Sequence, residues 1–205
     1  MNISNRSLAI LLLIAIMISS ISMLNNMRVI NITGFATMSG DAQVYIPAVQ
    51  AIGFVMNTSI SFGSGSIDRT IGDTCILTVD GSSSWKSNAC KGFSSTAPQP
   101  LIIENQGNTN LGIQVATDKS AQEFIGGTNS KFEYIVTNNE ANSCASTPKP
   151  SSWTDVNTTS PGTTVCNNLG FTDGADSIKI SIKVTIPTDA SGSKGATFTV
   201  IGTET

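Results

Sequence analysis

Residues 7–27 form an unbroken run of twenty-one positions without a single charge. Its dense part, Leu8 to Ile18, has the length of a signal-peptide h-region. Ile21, Met23 and Leu24 carry the apolar character past Ser19, Ser20 and Ser22, to the ~20 residues that a membrane helix needs. A core helix of a soluble domain keeps a polar face, and this run has none. Arg6 and the free amino terminus precede it, which favours an inside N-terminus. Two outcomes are open: a retained signal-anchor, or a leader cut near Ser20-Ile21-Ser22. Either one carries the remainder of the chain out of the cytosol. The expected partner of residues 7–27 is therefore a membrane, and the expected location is the cell surface, anchored or secreted.

Composition beyond the leader agrees with export. Leaving aside Arg6 and Arg28, nine basic residues face fourteen acidic ones, and no basic run exists to hold a phosphate backbone. Nucleic acid is thus not an expected partner. Charged residues make up 12% of the chain, so solubility must come from hydroxyls and amides.

Histidine is absent, which removes a His-dependent triad, a Cys–His dyad and any imidazole metal site. No G-x-S-x-G elbow and no phosphate-binding Gly-Lys-Ser/Thr loop occurs. Asp173-Gly174-Ala175-Asp176, with Asp68 and Asp73, offers oxygen ligands of the kind calcium takes, but without EF-hand spacing, and Asp-Gly is first a turn dipeptide. The expectation is a chain with no catalytic residue, no metal site and no cofactor.

The four cysteines are Cys75, Cys90, Cys144 and Cys166. Three pairings are open; the sequential one closes two short loops, each worth about 3 kcal/mol in the chain-entropy model. A four-thiolate zinc site usually brings cysteines in C-x-x-C pairs, and none is present. Asn-x-Ser/Thr triplets past the leader mark Asn31, Asn57 and Asn157 as candidate glycan acceptors.

Period-two patterning dominates the rest. Strands are expected at Ala42-Gln43-Val44-Tyr45-Ile46, at Ser59-Ile60-Ser61-Phe62 and at Thr74 to Val79. Leu101 to Glu104 and Leu111 to Val115 flank Asn105-Gln106-Gly107-Asn108 and read as a hairpin. Ser120, with Glu123 three residues on, marks one capped helical turn. Residues 131–136, 177–186 and 196–200 alternate again, and the second of these is the cleanest: Ile178, Ile180, Ile182, Val184 and Ile186 share one face. Residues 82–100 and 138–170 read as loops. The predicted fold is all-β: an antiparallel β-sandwich of about eight strands, Ig-like or jelly-roll-like, preceded by one N-terminal hydrophobic helix. The division is residues 1–27 leader, 28–40 tether and 41–205 extracellular domain.

Three blocks carry a family likeness: residues 59–65, residues 101–111, and Ile186-Pro187-Thr188-Asp189-Ala190 with Gly195-Ala196-Thr197-Phe198-Thr199-Val200. Over residues 40–205 the chain resembles archaeal secreted β-sandwich proteins, some associated with surface layers and some subunits of filaments. That resemblance implies a structural role at the cell surface and no enzyme activity. The processing pattern of a type IV-like pilin is not matched, because Arg6 is followed by Ser7 and the helical pattern ends near Asn25. Residues 29–46 are instead apolar and β-prone, so self-association by donating a strand to a neighbouring copy is expected. The alternative is a membrane-anchored adhesion module presenting residues 138–170 to an external ligand.

Overall fold

The computed structural model describes residues 47–80 and 82–205. The expectations for residues 1–46 (leader, tether, Asn31 and the strand at 42–46) lie outside the described residues. Pro47–Thr205 forms one compact unit. No helix among the described residues is long and apolar enough to cross a membrane.

The unit is all-β and antiparallel, with two sheets enclosing one apolar core. In chain order the strands are β1 (Ile52–Met56), β2 (Ser66–Ile67), β3 (Thr74–Val79), β4 (Cys90–Lys91), β5 (Leu101–Asn105), β6 (Leu111–Thr117), β7 (Lys131–Asn138), β8 (Thr154–Asp155), β9 (Thr163–Leu169), β10 (Ser177–Pro187) and β11 (Phe198–Glu204). The larger sheet runs β1-β5-β10-β7-β8, with β3 also on β10; the smaller runs β11-β6-β9; β2 and β4 form a short ribbon.

Strand β10 organises the larger sheet. β7 lines one of its edges, from Ile178 opposite Asn138 to Thr185 opposite Lys131. Two strands share the other edge end to end: β5 pairs with Ser177 to Ile180, and β3 with Ile182 to Pro187. Ile178, Ile180, Ile182 and Val184 all point inward and are buried, as the period-two pattern predicts. Each contributes roughly 1.5–3 kcal/mol by leaving water. From the smaller sheet, Leu111, Ile113 and Val115 of β6 and Val165 of β9 close over them. On the outer face Lys183 pairs with Glu133 at 3.0 Å, and the Lys183 ammonium lies over Trp153.

Four features depart from the sequence reading. First, β5 and β6 are not a hairpin, since they lie in different sheets. The turn between them is a corner held by Asn105, 2% exposed, whose Nδ2 donates to the carbonyls of Thr109, Leu169 and Gly170 while its Oδ1 accepts from the Gly107 N–H. Second, the strand in the first third of the unit is Ile52–Met56, and Ser59-Ile60-Ser61-Phe62 enters no ladder despite its alternation. Third, the long polar stretch after β7 contains β9, which the threonines and asparagines around Cys166 disguise. Fourth, the other predicted loop, residues 82–100, contains β4.

The helical turn is present as α1 (Ala121–Phe124), with Ser120 and Glu123 forming the reciprocal capping pair. Both disulfides are sequential: Cys75–Cys90 ties β3 to β4, and Cys144–Cys166 ties the segment after β7 to β9.

Candidate functional site

The sandwich is closed along one side and partly open along the other. The closed side lies between β7 and β9. There residues 144–150 bridge the sheets: Val136 N–H donates to the Pro150 carbonyl, Lys149 N–H to that of Val165, and Ala145 N–H to that of Asn168. Pro148, Pro150 and the Cys144–Cys166 bond stiffen that seam.

The opposite side lies between β1 and β11, the terminal strands of their sheets. Near the Asn105 corner it is shut. Ile52 packs on Gly202, where a β-carbon would stand 3.1 Å from the Ile52 Cγ2, and Glu204 accepts hydrogen bonds from Gln50 and Thr109. Toward the other pole the sheets part. Phe54, Thr58, Ser59, Ile60 and Phe62 form one bank of a trough, Ala196, Thr197 and Phe198 form the other, and Leu101, Phe132 and Ile182 form its floor. The trough holds about 260 Å³. It meets a second one of about 600 Å³, floored by Leu77, Val184 and Ile186 and walled by residues 60–65 and 190–196.

The banks explain why the trough stays apolar and open. Phe132 of β7 packs against Phe124 of α1 with the rings tilted by 52° and centroids 4.7 Å apart, and meets Phe198 of β11 edge-on at 5.6 Å. This trio props the two sheets at their far pole. The glycine- and serine-rich wall is tied down at its end, where Lys119 Nζ donates to the Gly195 carbonyl and Thr197 N–H to Asp118. Across from it, residues 58–62 belong to no strand; their single backbone bond to another segment, among the described residues, joins Ser94 N–H to the Phe62 carbonyl.

Strand edges that meet water are normally blunted by lysine, proline or a covering segment. The outer edges of β1 (IGFVM) and β11 (FTVIGTE) carry no lysine or proline among the described residues, although β1 is only five residues long and its register shifts between Phe54 and Met56. On β1, Phe54, Val55 and Met56 are exposed, and Val49 precedes them, also exposed. Single exposed apolar residues are ordinary; four within eight positions beside an unpaired edge exceed that scatter.

The predicted site residues fall as follows. Cys75, Cys90, Cys144 and Cys166 are buried within the core cluster, and no cysteine is free. Asn57 is exposed, with φ +55°, at the end of β1 beside the trough. Asn157 is half-buried: its Nδ2 donates to Thr163, its Oδ1 accepts from the Thr159 N–H and its carbonyl accepts from Thr117. Asp68 accepts two hydrogen bonds from Thr70, which hold its carboxyl below the usual range. Asp176 lies against Glu140, whose Oε2 accepts its N–H. Among the described residues no group of three or more Cys, Asp or Glu is arranged to hold a metal ion. The open edge itself was missed by sequence reasoning; the one available signal was a strand-like segment, 59–62, followed by Gly63 and Gly65 instead of a partner strand.

No protein-family model, no curated protein and no solved structure matches this chain.

Proposed function

We propose that the protein is an exported structural subunit of a cell-surface layer or pilus-like filament, which polymerises by exchange of a strand between copies and catalyses no reaction. In this reading the N-terminal hydrophobic segment delivers or anchors the chain, and the sandwich is the repeating brick. The observation that carries the proposal is the asymmetry of the sandwich: one seam is bridged and crosslinked, while the other leaves two strand edges without lysine or proline around a largely apolar trough. An isolated secreted domain gains nothing from such an edge and risks aggregation through it. A subunit that accepts a strand needs one. Two buried disulfides and the absence of a free thiol accord with an oxidising exterior.

The adhesion reading rested on residues 138–170 as a free loop. That stretch is engaged in closing the sandwich, through β9 and the bonds of residues 144–150, which weakens it as a ligand-presenting surface.

Negative-stain microscopy of the purified full chain tests the proposal. Regular polymers or sheets are expected at micromolar concentration and above; strict monomers at every concentration would sink it.

A further inference from the structure

Resting on that reading, we propose that the trough between residues 58–62 and the start of β11 is the acceptor site, and that its occupant is the stretch 29–46 of a second copy. Three observations identify the occupant as a β-strand. The floor is the inner face of a sheet, with Leu101, Phe132, Ile182, Val184 and Ile186 at alternate strand positions. One bank is the free edge of β11, whose outward N–H and C=O groups lack partners among the described residues. The other bank enters no ladder and is nearly free of backbone bonds. A strand laid between them would pair with both and would supply the fourth member that the three-stranded sheet lacks at this pole.

Length and position favour a second copy's N-terminal stretch. The floor from Ile182 to Ile186 spans ~13 Å, which four or five residues of a strand cover. Val29-Ile30-Asn31-Ile32-Thr33 has that size and is apolar at most positions, with Phe35 just beyond. The chain enters the sandwich at Pro47, whose carbonyl accepts from Asn108 Nδ2 at the Asn105 corner. The trough lies at the other pole. The eleven residues of β10 set the distance between the poles at ~35 Å. Stacking copies pole to pole brings the entry point of one copy toward the trough of the next, while filling its own trough would require the chain ahead of Pro47 to turn back over the ~17 Å that separate the corner from Ile182. Because donor and acceptor are different segments of the chain, the contact is head-to-tail, and where its rotation does not close a ring it propagates as a filament.

The test uses the full chain in detergent micelles, as wild type, as a donor variant (Ile30→Asp with Ile32→Asp) and as an acceptor variant (Ala196→Trp, whose indole would fill the trough). Wild type is expected to polymerise and each variant alone to stay monomeric. An equimolar mixture of the two variants retains one working donor and one working acceptor, so it should yield 1:1 dimers and nothing larger by light scattering. Should Ala196→Trp fail to fold, a chain carrying Ile32→Cys mixed with one carrying Ala196→Cys should give a dimer on a non-reducing gel. Polymers formed by either folded variant alone overturn the assignment and leave the structural-subunit reading standing. So does a mixture without dimers, or the absence of the crosslink. A wild type that never polymerises overturns both.

Discussion

The carboxyl of Asp176, 8% exposed, is pushed up to about 6 by its burial, by the hydrogen bond it shares with Glu140 and by the negative charges of Glu140, Glu104 and Asp173. Glu140 moves the other way, held down by hydrogen bonds from Asp176 and Ser177. A carboxyl whose folded value lies above its unfolded value makes the folded state the tighter proton binder. The stability from Asp176 is therefore fully present below its unfolded value of 3.8 and is lost as pH rises through about 6. Glu140 contributes in the opposite sense: its share is present above its unfolded value and lost as pH falls through the depressed folded one. Asp176→Asn keeps a donor toward Glu140 and removes the titration. Thermal melts should find the variant more stable than wild type near pH ~7.5, with the advantage shrinking toward pH ~5. An unchanged wild-type slope across that window in the variant would refute this account. In the sequence Asp176 stood out only as one oxygen among candidate calcium ligands. Its actual partner is thirty-six residues away, a pairing that no local spacing encodes.

At the scale of elements, legibility followed the strength of local pattern. β10 was readable because eleven residues alternate without interruption and both edges are paired, so local preference and burial agree. α1 was readable from its capping pair alone. The β5–β6 corner was not, because a four-residue turn fits a hairpin as well as a crossing between sheets, and the decision rests on Asn105. That amide reaches Leu169 and Gly170, sixty-four and sixty-five residues away. The exchange of 59–62 for 52–56 has the same origin: 59–62 carries the alternation and IGFVM does not, but only the latter faces an available edge of β5. If Asn105 decides the corner, Asn105→Ala should leave the buried carbonyl of Leu169 and the half-buried carbonyl of Gly170 without this donor and destabilise the protein by about 2–3 kcal/mol. For a chain of this size that is a fall in Tm of roughly 5–10 °C. A change below about 0.5 kcal/mol by urea titration would mean that the sheets, and not this side chain, set the crossing.

The whole molecule joins a stiff seam to an open one, and the balance of forces at the open one sets how assembly must respond to salt. Lys194 is the only charged side chain lining either described trough; the rest are apolar, serine, threonine or glycine. The proposed insertion of a strand there would be driven by apolar burial and by pairing of backbone groups, and neither is screened by ions. The net charge of −3 makes copies repel weakly, and added salt reduces that repulsion. Raising sodium chloride from about 0.05 M to about 1 M should therefore leave the polymers intact or lengthen them, read by sedimentation of the assembled fraction. A polymer held by ion pairs between faces would instead lose them as the screening length falls from about 14 Å to about 3 Å. Dissolution in high salt would thus place the contact on a charged surface and remove the open trough from the assembly mechanism.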